Sequence, residues 1–267
     1  MLRLLNFLLI ACALTRSASA EVVVVGGLTR TSTIKPGEAF EGVILLKNAD
    51  RQPAEARVSQ TDYLSYADGR NSYGEPGKAA RSNAAWITVS PSRVKLAPGE
   101  TQVVRYKGRA PADPDLHGTF WSMIMVEPNS APSITPEGKV NQVAVGLQTV
   151  IRFAIQIVTE IGHVGTRSLQ VQDKRVVQVA GRRALQLDIA NDGERLLVPA
   201  MTVELFDRQG ASIGRFDAGR ARIYPTCSVR AKVDLTDVPV GKYAAMVLLD
   251  SGEAQVLGAQ YDLEIAP

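Results

Sequence analysis

The chain has 267 residues, 45% of them hydrophobic and 21% charged, with a formal net charge of +3. Two of its basic residues, Arg3 and Arg16, lie in an N-terminal leader, and without them 28 basic residues face 27 acidic ones. That balance offers no electrostatic case for binding nucleic acid or an anionic membrane surface. Its length holds two domains of ordinary size.

From the N-terminus, Arg3 leads into an apolar run from Leu4 to Leu14, and Ala18-Ser19-Ala20 supplies small residues for cleavage. The pattern is that of an export signal over residues 1–20, too short to span a bilayer as an anchor, which takes ~20 apolar residues. Leu9-Ile10-Ala11-Cys12 leaves open a lipoprotein signal instead. The expected mature chain starts at Glu21 outside the cytoplasm, in the periplasm, with no transmembrane segment. Cys227 is then its single cysteine, so no intrachain disulfide forms.

Past the leader, runs of five to ten residues rich in Val, Ile and Leu alternate with turn chemistry: Lys35-Pro36-Gly37, Asn48-Ala49-Asp50, Ala97-Pro98-Gly99, Asn191-Asp192-Gly193 and Asp207-Arg208-Gln209-Gly210. No segment carries helical periodicity. Many short strands at this spacing predict stacked antiparallel sheets, that is, an all-β chain of two immunoglobulin-like β-sandwich domains in tandem. Residues 66–83 and 127–139, polar and rich in Gly or Pro, read as exposed loops. Residues 140–158 read as one long strand whose apolar face runs about fifteen residues, at ~3.3 Å per residue roughly 50 Å. Its odd positions, from Val143 to Ile157, are apolar but for Thr149, while its even positions, which include Arg152, are smaller and wetter. Such a strand bridges two domains or offers part of its length to a partner. A boundary is expected near Glu160 to Thr166, dividing the mature chain into units at 21–160 and 167–267.

The two halves echo each other. GTFWSMIMVEP (118–128) matches GKYAAMVLLDS (241–251), SPSRVKLAPGETQVVRY matches IYPTCSVRAKVDL, and GVILLKNADRQPAEARVSQTDY matches LQLDIANDGERLLVPAMTVELFD, in the same order. The last pair is a strand, an Asn-centred turn and a second strand. Duplication of one domain explains all three, and convergence of β-sandwich sequences on such patterns would give the same fold.

Little in the chain does chemistry. His117 and His163 sit far apart beside glycines in expected loops, and with one Cys they do not assemble the three or four ligands of a zinc site. There is no nucleophile elbow, HExxH, phosphate loop or dinucleotide fingerprint. No catalytic, metal or cofactor site is expected, and the chain does not read as an enzyme. Trp86, Phe120 and Trp121 suit core packing better than a sugar platform; the adjacent Phe120 and Trp121 point to opposite faces, one core and one partly exposed.

Residues 84–158 resemble the N-terminal domain of the periplasmic pilus (PapD-like) chaperones of the chaperone–usher pathway. The likeness rests on WITVSPSRVKLAPGETQVVRY, a Pro-rich loop, GTFWSMIMVEP and the run Leu147 to Phe153, LQTVIRF. It implies a periplasmic chaperone that captures incomplete β-sandwich subunits, pilin-like and β-rich, by adding a strand, with an outer-membrane usher as a further partner. In that resemblance Val143, Val145 and Leu147 are the inserted side chains, Arg152 anchors the client's terminal carboxylate, and Arg30 on the first strand is a second anchor, with Ser32 in its place if the alignment slips by two. Three features depart from the family pattern. PADPDLHGTF lacks an Arg at its end, EIGHVG replaces an Arg-Pro linker, and the 66–83 insertion has no counterpart. A related likeness, in the W-x-x-x-SP and L-x-PGE patterns, to peptidoglycan-facing β-sandwich domains supports the alternative of a non-catalytic structural or ligand-binding envelope protein.

Overall fold

The computed structural model describes residues 22–129, 151–252 and 256–266. The expected leader (1–20), most of the 127–139 loop, and Val143, Val145 and Leu147 lie outside the described residues. Among the described residues every regular element is a strand, apart from one 3-10 turn at Ala84–Trp86. The chain is all-β, as its alternation predicts.

The first sandwich uses β1 (Val22–Val25), β2 (Thr29–Ile34), β3 (Ala39–Asn48), β4 (Ala54–Ser65), β5 (Asn71–Gly74), β6 (Ile87–Ser90), β7 (Arg93–Leu96), β8 (Thr101–Arg109), β9 (Gly118–Pro128) and β10 (Phe153–Ile161). One sheet has the order β1-β3-β8-β6, and the facing sheet β2-β10-β9-β4-β5, with β7 also on β4. Between them lies a core that includes Ile44, Leu46, Val104, Ile124, Ile155 and Ile157. The chain switches sheets between β1 and β2 through Gly26-Gly27-Leu28, and Gly26 takes a φ of 97° that a side chain disfavours. β2 then runs parallel to β10, whereas β9 pairs β10 antiparallel.

The second sandwich uses β11 (Leu169–Val179), β12 (Arg182–Asn191), β13 (Ala200–Phe206), β14 (Ser212–Arg220), β15 (Ser228–Asp234), β16 (Gly241–Asp250) and β17 (Val256–Ile265). Its sheets are β11-β12-β15 and β14-β13-β16-β17 around a separate core that includes Leu187, Val203, Leu205 and Val247.

The echoed sequences occupy equivalent positions. β9 lies between β4 and β10, as β16 lies between β13 and β17; β3 pairs β8 as β12 pairs β15. The Asn-centred turns match atom for atom. Asn48 Nδ2 donates to the carbonyls of Gln52 (2.7 Å) and Leu96 (3.1 Å), and its Oδ1 accepts the Asp50 amide at 2.9 Å. Asn191 Nδ2 donates to Arg195 O and Ile223 O, both at 2.7 Å, and its Oδ1 accepts the Gly193 amide at 2.9 Å. Both side chains are buried, so each amide replaces water for three backbone groups that a turn would otherwise leave unsatisfied.

The 66–83 segment differs from the exposed loop expected. Its tip, β5, is exposed throughout, but the return path folds back into the protein. The buried Asp62 carboxylate accepts the amides of Gly77 (3.0 Å), Lys78 (2.8 Å) and Ala79 (2.7 Å) and the Ser82 hydroxyl. Asn83, fully buried, donates to Ile157 O at 3.0 Å and Thr159 Oγ1 at 2.9 Å, and accepts from Ser122 Oγ at 2.6 Å. Composition marks this stretch as loop, but the side chains at its ends decide that it is anchored.

Replacing either turn asparagine by alanine strands one buried amide and two carbonyls. Asn48→Ala and Asn191→Ala should each cost roughly 2–4 kcal/mol in urea unfolding. A loss below about 0.5 kcal/mol for either would show that its turn is held by something else.

Candidate functional site

Side chains alternate along β10, and each face has a different neighbour. Ile155, Ile157 and Ile161 enter the first core. On the other face Gln156, Val158 and Glu160 meet the second sandwich. Val158 packs with Trp121, Tyr224 and Cys227 in a small apolar cluster, where the Trp121 and Tyr224 rings stack with centroids 4.7 Å apart. Of Phe120 and Trp121 one was expected to be partly exposed; both are buried, Trp121 by a residue more than a hundred positions away. Burial pushes the Tyr224 hydroxyl up to about 12 and raises the Cys227 thiol as well, so neither ionises near neutral pH.

Beyond that cluster the contact between sandwiches is ionic. Arg195 Nη2 lies 2.7 Å from Glu160 Oε2, with side-chain exposures of only 10% and 14%. The Glu160 carboxylate also accepts from Thr119 Oγ1 at 2.9 Å, and Thr119 Oγ1 accepts the Leu196 amide at 2.7 Å. Arg195 Nη1 donates to the carbonyls of Gly162 (3.2 Å) and Val164 (3.0 Å), which ties it to the connecting segment. Nearby, Arg81 Nη2 lies 2.9 Å and His117 Nε2 3.1 Å from Glu194 Oε1. His117, expected as an unengaged loop residue, is half-exposed and paired across the joint. Gly118 permits this approach: with φ at 87°, an added Cβ would sit 2.5 Å from Glu194 O.

The opposite end of β10 is less covered among the described residues. β2 covers β10 only from Gln156 to Ile161, with Gln156 N donating to Leu28 O at 2.8 Å. A residue's N–H and C=O share one side of a strand and alternate with its neighbours', so Ala154 presents both groups toward that same edge. Among the described residues nothing pairs with β10 on that edge before Gln156. The odd-numbered row leaves the core there: Ile155 is fully buried, Phe153 half-buried, and Ile151 40% exposed.

Arg152 lies just outside β10 and belongs by alternation to the face of Gln156. Its side chain is 63% exposed, and its Nε is 3.5 Å from Glu127 Oε1. An exposed ion pair of this kind contributes little. Arg30 pairs with Ile157 in the parallel register and thus shares the core-side face. Its guanidinium turns back to Gly27 O and to Thr29 O. The structure therefore puts Arg30 and Arg152 on opposite sides of the sheet. Ser32 falls opposite Thr159, on Arg30's side, because a two-residue slip preserves the face.

The residues that do share the face of Arg152 come from both sandwiches. Tyr224 OH donates to Gln156 Oε1 at 2.9 Å, and Arg222 Nη1 donates to Thr29 Oγ1 at 2.9 Å. Sequence reasoning missed Tyr224 and Arg222, because neither lies in a motif and their partners are on the other half of the chain. Among the described residues no cluster of three or more His, Cys, Asp or Glu could hold a metal ion. No helix among them is long and apolar enough to cross a membrane.

No family model and no curated protein matches the sequence. In fold the chain is similar to solved fimbrial chaperones. A structure described as a chaperone–tip adhesin complex of CFA/I fimbriae biogenesis superposes with a TM-score of 0.49 at 12% identity, over 90% of this chain and 98% of that one. The class 5 fimbriae chaperone CfaA gives 0.47 at 11% identity, over 90% and 98%. The Salmonella enterica SafA pilin complex with the SafB chaperone gives 0.41 at 13% identity, over 92% and 98%.

Removing one partner of the buried pair leaves the other charge uncompensated. Arg195→Met should lower stability by ~3–5 kcal/mol, and adding Glu160→Met should recover most of that loss, since an apolar pair of similar volume is tolerated. Equal loss in the single and double variants would mean that the joint depends on Arg195's bonds to Gly162 and Val164 instead.

Proposed function

We propose that the protein is a periplasmic chaperone or assembly factor that captures incomplete β-sandwich subunits by strand addition along the open edge of β10. The observation that carries the proposal is the coincidence of two features. The edge of β10 lacks a partner before Gln156 among the described residues, and the apolar row emerges from the core at Phe153 and Ile151 on that same stretch. An edge with apolar side chains is normally avoided as an aggregation hazard, so retaining one favours a strand that comes and goes.

In this reading the incoming strand pairs backbone to backbone with the edge, which gives register, while alternate side chains give specificity. Val143, Val145 and Leu147 continue the odd-numbered row and are the side chains inserted into the client. Three such residues contribute ~5–8 kcal/mol before ordering costs. Arg152 binds the client's terminal carboxylate through two parallel hydrogen bonds. The partner is a secreted, β-rich, pilin-like subunit, delivered onward to an outer-membrane usher. The expected export signal over residues 1–20 supports a periplasmic location, and the domains are taken as 21–160 and 167–267.

Arg30, on the other side of the sheet, contributes through β2 rather than through the carboxylate, so Arg30→Ala should leave discrimination between free acid and amide unchanged.

Two measurements test the proposal. Co-expression with a pilin-like subunit lacking its final strand should give a co-purifying complex, and the Val143→Glu/Val145→Glu/Leu147→Glu variant should abolish it; unchanged capture would remove the strand from the mechanism. A synthetic peptide of the subunit's C-terminal segment should bind Arg152→Ala roughly 10–100-fold more weakly as a free acid. The amidated peptide should bind wild type and Arg152→Ala alike, and an equal loss for both peptides would exclude a carboxylate contact.

A further inference from the structure

His117 lies in the loop between β8 and β9 and reaches the turn between β12 and β13. Each of its ring nitrogens faces an acceptor. Nδ1 is 2.5 Å from Asp115 O, and Nε2 is 3.1 Å from Glu194 Oε1. A neutral imidazole carries one N–H, so it can donate to one of these oxygens and must turn a lone pair toward the other; the imidazolium donates to both. Glu194 is at the same time the hub of the joint. Its Oε1 also accepts from Arg81, while its Oε2 accepts the Thr166 amide at 2.9 Å and lies 3.3 Å from Thr166 Oγ1. Arg81 Nη1 in turn donates to His117 O at 3.0 Å.

From this geometry we infer that His117 is a proton-operated clip between the two sandwiches, closed when the ring is doubly protonated and loosened when it is neutral. The inference concerns the joint alone and stands whether or not β10 captures a client.

Charges from every element around the ring bear on it. Arg81 precedes the 3-10 turn, Asp113 and Asp115 belong to the ring's own loop, and Glu194 and Arg195 come from the β12–β13 turn. Glu160 closes β10 and is already paired with Arg195. Arg81 and Arg195 oppose a further positive charge, so Glu194 must supply the attraction. Glu194 is held below the usual carboxylate range, first by the Thr166 amide and then by His117 and Arg81, against the opposing effect of burial. The ionised carboxylate is therefore the favoured form opposite the ring. The clip forms when the ring takes up its second proton and is lost when the ring gives that proton up. On the acid side it fails only when Glu194 itself takes up a proton.

The chain has two histidines, and His163 is exposed, which makes the test clean. Amide exchange of Thr166, corrected for the intrinsic pH dependence, should show protection rising roughly two- to fivefold from pH 8 to pH 5.5, as expected of a half-exposed ion pair. His163→Gln should keep that response and His117→Gln should lose it. Ring ¹⁵N shifts of the wild-type protein at pH 5.5 should show His117 doubly protonated with Nε2 in a hydrogen bond. A His117→Gln profile that still follows the wild type overturns the inference, as does wild-type protection that is flat with pH, or a neutral His117 ring at pH 5.5.

Discussion

A β-strand has two faces and two edges, and nearly all of these are occupied along β10. One face fills the first core with Ile155, Ile157 and Ile161, and the other meets the second sandwich with Gln156, Val158 and Glu160. One edge pairs with β9 along its whole length, and the other is closed by β2 from Gln156 onward. Among the described residues, what remains without a partner is a short length of edge next to Arg152. Because strand geometry permits no other faces or edges, the open site and the joint between sandwiches are properties of the same nine residues. The second sandwich reaches this end of β10 through Gln156, which accepts from Tyr224 and Thr29, and through Arg222, which donates to Thr29.

The joint has apolar and ionic parts that serve different ends. Trp121, Val158, Tyr224 and Cys227 exclude water, which raises the strength of nearby electrostatics. Within that shelter the Glu160–Arg195 pair has little exposure and defines where the second sandwich docks. Glu194, more exposed, gathers Arg81, His117 and Thr166 at the rim. The 66–83 insertion adds a third attachment: the Ala67 amide donates to Ser228 Oγ at 2.9 Å, and Arg81 stands at its far end. This segment thus acts as a brace across the two sandwiches.

Much of the fold was legible in the residues. Alternation along β9 and β10, turn chemistry after β3 and β12, and the three ordered echoes all point to tandem sandwiches. The matching hydrogen bonds of Asn48 and Asn191 show that the echoes mark equivalent places. The site was legible only in part. Arg152 is proposed from its position in LQTVIRF, but the side of the sheet on which Arg30 lies depends on its pairing with Ile157, which no local pattern records. Trp121 and His117 were given bland readings because each takes its decisive partner from the second sandwich, Tyr224 and Glu194 respectively.

By itself the sequence determined which stretches extend, where they turn and that one architecture occurs twice, because the two-residue period of a strand and the torsional preferences of Gly, Pro and Asn are local. Tertiary structure alone decided which face of β10 meets the second sandwich, where its edge falls open and which charges close the joint. Those outcomes depend on contacts such as Gln156 with Tyr224, His117 with Glu194 and Arg81 with Glu194, 68, 77 and 113 residues apart in the chain. Such pairs meet only when whole sheets pack, and their geometry is set by that packing rather than by any residue's neighbours in sequence.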